Sequence, residues 1–350
     1  MLPIIAAVLL LIVKSVPGIP GSGLLLGAVV IASVVSAVHH AEVIAHRVGE
    51  PFGTLVLAMA VTVIECALII SMMMSGTADS ATLPRDTVFA GVMILLSGVV
   101  GISLLAGGRR HHVQQFKLDG INAALGTLVA ILAFTLILPN YTIVPGPSYN
   151  QKQMLFIAIA TLVLFGAFTF FQTVRHRDYF LPEEDHLADD GDEHAEPPSN
   201  RDALVSCLLL VIALVSVVLG AKGVSPAIEA MLDRAGAPAG TVGILIAAIV
   251  LLPESVAAVR AALGNRLQTS LNLAIGSAIA TIGLTIPAVI IVSLAQGWSL
   301  SLGLAPMSMA LLVVTLFITS ISLRTGRTNI LPGIVHLVLF AAYLFLSFVP

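Results

Sequence analysis

The run Val61–Ile70, VTVIECALII, places one carboxylate inside an otherwise apolar or weakly polar sequence. It lies within a longer stretch, residues 54–75, that contains no other charged side chain. A helix that crosses roughly 30 Å of hydrocarbon requires about 20 mostly apolar residues. The stretch therefore predicts a membrane-spanning helix with Glu65 in its interior.

A second carboxylate, Glu254, lies in the apolar run LLPESVAAV, residues 251–259. All other acidic residues can be assigned to loops or to the ends of apolar stretches. A carboxylate inside a span costs several kcal/mol unless it is protonated, paired or bound to an ion, and such residues usually mark a transport path. No Lys or Arg lies deep in a predicted span, so Glu65 and Glu254 are predicted to bind a transported cation or protons. The alternative is a protonated glutamate that only joins two helices by a hydrogen bond.

The composition of the 350-residue chain agrees with a membrane protein, since 58% of residues are hydrophobic and 10% are charged. The formal charge of -3 and the lack of a basic face exclude nucleic-acid binding and make the lipid bilayer the expected surroundings. We predict an all-α polytopic fold of about eleven transmembrane helices. The predicted spans are 2–16, 22–41, 54–75, 86–107, 120–138, 153–174, 202–222, 238–260, 270–294, 301–322 and 330–349.

Lys and Arg predict the orientation, because cytoplasmic loops are rich in these residues. With the N-terminus inside, the cytoplasmic loops hold Arg47, Arg109, Arg110, Lys117, Arg175, Arg177, Arg201, Arg260, Arg266, Arg324 and Arg327. The outer loops hold Lys14, Arg85, Lys152, Lys222 and Arg234. Eleven residues against five favour a multi-pass protein of the cell (inner) membrane, with a cytoplasmic N-terminus and a cytoplasmic acidic segment.

The acidic segment divides the chain into two similar halves. Eight acids lie between Glu183 and Glu196. The motif G-x-P-x-G-T occurs at residues 49–54 and 236–241, and each copy precedes one intramembrane glutamate. We therefore predict an N-terminal helix (1–21), a first five-helix repeat (22–174), an acidic cytoplasmic linker (175–201) and a second five-helix repeat (202–350). Because five is odd, the second repeat must be inverted, as in many secondary transporters.

Polar side chains near the glutamates are candidate ligands of the cation. Thr62 lies on the same helix face as Glu65, and Ser255 adjoins Glu254. Asn272 and Ser277 form a polar stripe on the following span. Carboxylate, carbonyl and hydroxyl oxygens are the ligands that hard divalent cations such as Ca2+ prefer.

Three segments carry a resemblance to a known family. They are HHAEVIAHRVGEPFGTLVLAMAVTVIE (39–65), LPESVAAVRAALGNRLQTSLNLAIGSAIA (252–280) and SLRTGRTNILPGIVHLVLFAAYL (322–344). The chain resembles the bacterial ChaA-type Ca2+/H+ antiporters of the cation/proton exchanger family, within the calcium:cation antiporter superfamily. The resemblance implies inverted repeats, Ca2+ export driven by proton entry, no cofactor, and essential carboxylates at Glu65 and Glu254.

Several alternatives remain open. Many exchangers carry Gly-Asn-Ala shortly before each essential glutamate. This chain has Val-Thr-Val-Ile at 61–64 and Leu-Leu-Pro at 251–253 instead, so the asparagine amides are missing. Exchange of Na+ or K+ for protons is therefore the alternative. A cation channel or an intramembrane enzyme has less support, because no second catalytic cluster is visible. Glu50 is a candidate cation-gathering residue at the entrance, and His40 and His46 are candidate sensors of cytoplasmic pH.

Overall fold

A computed structural model describes residues 2–15, 22–49, 52–74, 80–181, 198–236, 238 and 240–349. Within these ranges the chain forms eleven helices and two very short strands. The helices are α1 (Leu2–Ser15), α2 (Ser22–Val48), α3 (Phe52–Met73), α4 (Leu83–His111), α5 (Leu118–Tyr141), α6 (Gln151–Arg175), α7 (Asn200–Ala235), α8 (Thr241–Leu263), α9 (Leu267–Gln296), α10 (Pro306–Ser322) and α11 (Ile330–Phe348). The strands are β1 (Gln114–Gln115) and β2 (Arg327–Thr328). The predicted all-α polytopic fold is confirmed.

Eight of the described helices are, by length and composition, able to cross a membrane, and α3 and α10 contain shorter apolar stretches. Their outer faces are apolar. On α7, for example, Leu204, Leu208, Val211 and Val215 are all exposed, and their spacing places them on one helix face. Such a continuous exposed apolar stripe is suited to lipid.

Local sequence determines where several helices begin and end. Asn150 opens α6 with a capping box, because its side chain accepts a hydrogen bond from Gln153 N and the Gln153 side chain accepts one from Asn150 N, both at 2.9 Å. Pro306 begins α10, where its missing N–H would have no intrahelical partner. Gly297 ends α9 in the left-handed conformation, with a φ of 71°.

The helix ends differ from the predicted span boundaries at two places, although the candidate span within α7, Asn200–Gly220, agrees with the predicted 202–222. The helix predicted to end at 222 continues as α7 to Ala235, so Lys222 and Arg234 lie in a helix rather than in an outer loop. The span predicted to begin at 301 begins at Pro306. The preceding segment is not helical and is held by contacts with other parts of the chain, since Gly303 N donates to Pro147 O at 2.9 Å and Leu304 N donates to Leu136 O of α5 at 3.0 Å.

The helices of the two halves pair reciprocally. Helix α2 packs against its counterpart α7. Helix α3 packs against α9, and in the same way its counterpart α8 packs against α4, the counterpart of α9. Likewise α6 packs against α9 as α11 packs against α4. If each helix of α2–α6 is replaced by its counterpart in α7–α11, and the reverse, the same pairs of helices result. Two inverted five-helix repeats produce this pattern.

Consecutive loops of a chain that crosses the membrane repeatedly must lie at alternating ends of the molecule. The contacts between the described loops agree with this arrangement. At one end β1 pairs with β2, and the Gln114 side chain donates to Ala262 O at 2.9 Å. At the other end Ser301 N donates to Ala81 O, and Leu302 N donates to Pro147 O. Among the loops that these contacts join, those at the first end are predicted to be cytoplasmic and those at the second end are predicted to be external.

The described beginning of the predicted acidic linker is folded against the helices. Residues Arg177–Tyr179 form a 3-10 turn, and Phe180 is buried against Phe168 and Phe171. All eight acids of the cluster lie outside the described residues. The boundaries 175–201 therefore stay a prediction.

Candidate cation site

The two intramembrane glutamates occupy equivalent helices of the two halves. Glu65 lies on α3 and is 2% exposed, and Glu254 lies on α8 and is 8% exposed. The one ion pair found among the described residues is between Arg85 and Asp86, near the beginning of α4. Among the described residues, therefore, no cationic side chain forms an ion pair with either glutamate.

Hydroxyl groups of α9 contact both carboxylates. Ser277 Oγ donates a hydrogen bond to Glu254 Oε2, and Thr285 Oγ1 donates to Glu65 Oε2 at 3.2 Å. The Thr281 hydroxyl lies close enough to the Glu65 carboxylate to influence it. These three hydroxyl residues are four positions apart, so they lie along one face of α9. A single helix thus bridges the two carboxylates.

The two glutamates also interact with each other. Glu65 experiences the electrostatic influence of Glu254. Like charges at such sites cannot both be stable in a medium of low polarity without a proton or a cation. The hydroxyls of α9 therefore place both carboxylates in one candidate site.

Helix α4 forms a third wall of the site. Gly91 lies where a β-carbon would be 3.5 Å from Leu251 of α8 and 3.6 Å from Thr281 of α9. One turn later, residues Ile94–Val99 form a π-helical turn that is fully buried. π-Helical turns are rare in proteins, and those that occur often lie at functional sites.

The other predicted ligands have different surroundings. Thr62 is buried one turn before Glu65. Ser255 Oγ donates to Leu251 O at 2.7 Å, along its own helix. Asn272 Nδ2 donates to Phe180 O at 2.6 Å, so its amide anchors the beginning of the linker to α9 and does not contact a glutamate. Ser277 is the predicted neighbour with a described hydrogen bond to a glutamate.

Both described sensor candidates lie on the last third of α2. His40 is half-buried between α2 and α7, where its Nδ1 lies 3.3 Å from Ser206 Oγ. His46 is exposed. Glu50 lies outside the described residues. None of these roles is decided by the positions of the side chains.

Sequence reasoning missed Thr281 and Thr285. The signal was present, because both continue the four-residue spacing that begins at Ser277. Their spacing alone did not reveal that α9 lies beside α3 of the other half. That contact arises from the packing of the two repeats.

The candidate site is formed by oxygen atoms of two glutamates and of the hydroxyl residues of α9. The described residues hold no group of three or more His, Cys, Asp or Glu side chains able to bind a metal ion. Two carboxylates and three hydroxyls supply oxygen ligands, which hard cations prefer. Buried carboxylates where inverted repeats meet define the class of ion-coupled secondary transporters.

The sequence of the chain agrees with this class. The profile of the family described as sodium/calcium exchanger protein matches residues 20–174 and 205–349. The chain belongs to this family, and with it to the calcium:cation antiporter superfamily. It is thus a multi-pass membrane protein of a family of cation exchangers.

Three relatives illustrate the range of the family. The y4hA protein of Sinorhizobium fredii, named as an ionic transporter, is 46% identical over 94% of this chain and 88% of its own length. The sodium-potassium/proton antiporter ChaA of Escherichia coli is 36% identical over 99% of this chain and 94% of its own length. The solved Ca2+/H+ antiporter YfkE has the same fold, with a TM-score of 0.74 at 17% identity and with 100% of this chain and 98% of that chain covered.

Proposed function

We propose that this protein exports cytoplasmic Ca2+ in exchange for protons by alternating access. The observation that carries the proposal is the burial of Glu65 and Glu254 together, with the hydroxyls of α9 joining them. In this mechanism both carboxylates bind either the cation or protons, and no cofactor takes part.

The coupling of the two fluxes follows from the cost of an empty site. Two ionised carboxylates without a cation carry two negative charges in a dry interior, which is expensive. One Ca2+ or two protons would neutralise the pair. The loaded site can therefore change its exposure from one side of the membrane to the other, and the empty site cannot. This difference links the export of Ca2+ to the entry of protons.

Alternating access requires two units that move against each other around the site. The repeats 22–174 and 202–350 are our candidates for these units, and the two stretches matched by the family profile support the division. Each repeat contributes one glutamate, and α9 of the second repeat contacts the glutamates of both. A relative movement of the repeats would change these contacts first.

Exchange of Na+ or K+ for protons is the second candidate. It is favoured by the name of the Escherichia coli relative, a sodium-potassium/proton antiporter. It is also favoured by the described contacts of the glutamates, which consist of hydroxyls without side-chain amides. Two monovalent ions would also neutralise the pair, so charge alone does not select the cargo.

A comparison of cations tests the proposal. We expect Ca2+, added to everted vesicles that hold a pH gradient and a pH-sensitive dye, to dissipate the gradient at lower concentration than Na+ or K+. The reason is that one divalent ion satisfies both carboxylates at once. Mg2+ and vesicles without the protein serve as controls. A response to Na+ or K+ but not to Ca2+ would select the second candidate, and dissipation without any added cation would favour a proton leak.

We also propose that the end of the molecule with β1 and β2 is cytoplasmic, in agreement with the distribution of Lys and Arg. In cells carrying a Cys207→Ser background, Ile143→Cys should react with a membrane-impermeant thiol reagent from the outside. Thr325→Cys should react only after the membrane is opened. Ile143 is fully exposed in its loop, and Thr325 lies in the turn beside β2. The reverse pattern would invert the orientation.

A further inference from the structure

A buried histidine of α11 lies outside the site described above. His336 is 0% exposed. Its Nδ1 lies 2.8 Å from Leu96 O of α4, and its Nε2 lies 3.2 Å from Ser322 Oγ, at the end of α10. No acidic side chain among the described residues is within ion-pairing distance of the ring. The imidazole therefore connects three helices through neutral hydrogen bonds.

The acceptor of this hydrogen bond is a carbonyl that the helix itself leaves free. In an α-helix the N–H of Val100 would donate to Leu96 O, four residues earlier. Here Val100 N donates to Leu95 O, because the π-helical turn Ile94–Val99 inserts one residue. Leu96 O loses its α-helical donor and receives the imidazole of His336 in exchange. A buried carbonyl without any donor would cost about 1–3 kcal/mol.

The geometry also determines the tautomer of the ring. A carbonyl oxygen can only accept, so Nδ1 must carry the proton. In the neutral ring Nε2 then accepts the hydrogen bond from the Ser322 hydroxyl. Ser322 therefore orients the histidine that completes the π-helical turn.

The contact is possible because α4 and α11 approach unusually closely. A β-carbon at Gly101 would lie 3.0 Å from His336 Cβ. A β-carbon at Gly333, on α11, would lie 2.5 Å from Leu105 N of α4. Glycines on both helices thus bring the imidazole within reach of a backbone carbonyl.

The π-helical turn packs directly against the site. It contacts α8, which carries Glu254, and α9, which carries Ser277, Thr281 and Thr285. We propose that His336 is a positioning residue of the transport reaction, which holds the π-helical turn of α4 against α8 and α9 by replacing the missing donor to Leu96 O. The transport part of this inference rests on the proposed function. The effect on the backbone of α4 does not.

Three substitutions at one position separate the possible roles. His336→Ala removes the donor. His336→Asn keeps an amide N–H close to the position of Nδ1 but cannot change its charge. His336→Gln carries its amide farther from the backbone, near the position of Nε2.

The variants should be purified and their transport measured per folded molecule at several pH values. We expect His336→Ala and His336→Gln to lower turnover about tenfold, which corresponds to roughly 1.4 kcal/mol. His336→Asn should recover most of the loss and keep the pH profile of the wild type. Wild-type transport in His336→Ala would overturn the proposal. So would a His336→Asn variant as defective as His336→Ala, since that result would assign the ring a role that an amide donor cannot fill.

Hydrogen exchange of the backbone tests the same proposal without transport. The amides of residues 98–101 should exchange faster in His336→Ala than in the wild type, and should be protected again in His336→Asn. If no cation moves protons through the wild-type protein, the proposed function fails and this exchange pattern still stands. If the pattern is absent while cation-driven transport is normal, the role of His336 fails and the proposed function stands.

Discussion

Glu65→Gln and Glu254→Gln are each expected to reduce cation-driven proton movement to the level of vesicles without the protein. Glutamine keeps the shape of the side chain and can still accept a hydrogen bond from Thr285 or Ser277. It cannot, however, alternate between a protonated and a cation-bound state. In the proposed mechanism the two carboxyl groups together hold one Ca2+ or two protons, so the loss of either leaves a single charge that neither load balances.

The measurement is dye-reported proton movement in vesicles with matched amounts of inserted protein. Glu42→Gln is the matched control, because Glu42 is an exposed glutamate near the end of α2. Its exchange should equal that of the wild type. Normal Ca2+-driven proton movement in either site variant would remove the central claim, whereas loss of insertion would point to a structural role for the carboxyl group.

Gly243→Ala is expected to displace α8 and to lower both stability and transport. The added β-carbon would lie 2.7 Å from Thr87 N and 2.8 Å from Asp86 C, which are backbone atoms of α4. Backbone atoms inside a helix cannot move aside as the end of a flexible side chain can. Overpacking of this kind costs about 1–3 kcal/mol. The displaced helix is the one that carries Glu254, so transport should fall with stability.

Thermal unfolding and transport per folded molecule should be compared with those of Gly126→Ala. Gly126 is an exposed glycine of α5, and a β-carbon there would have no neighbour within 4 Å. That control should keep the transport rate of the wild type and keep or raise its unfolding temperature, because alanine favours a helix over glycine. If Gly243→Ala also kept both, the close approach of α8 to α4 would not be a feature of the protein in its membrane.

The sequence made the membrane fold and the two glutamates predictable for the same physical reason. Hydrocarbon tolerates long apolar helices and penalises isolated charges, so both features appear as simple patterns along the chain. The boundaries were less certain, because polar helical turns outside the membrane resemble loops in composition. The continuation of α7 to Ala235 and the late start of α10 at Pro306 are examples.

The partners of the glutamates depended on the tertiary structure. Ser277 was recognised by its position on the helix after Glu254, but Thr281 and Thr285 contact Glu65 only because α9 packs against α3 of the other repeat. Asn272 has the chemistry of a ligand and is nevertheless bound to Phe180 O. A side chain of suitable chemistry has no fixed partner until the helices around it are placed.

By itself, then, the sequence determined the spans, the duplication and the pair of intramembrane carboxylates, because these follow from the transfer of residues between water and hydrocarbon. The tertiary structure alone decided that α9 joins the two carboxylates and that His336 donates to Leu96 O. Those contacts join residues up to 240 positions apart in the chain. They depend on helix approaches of a few ångströms, which the order of residues along one helix does not specify.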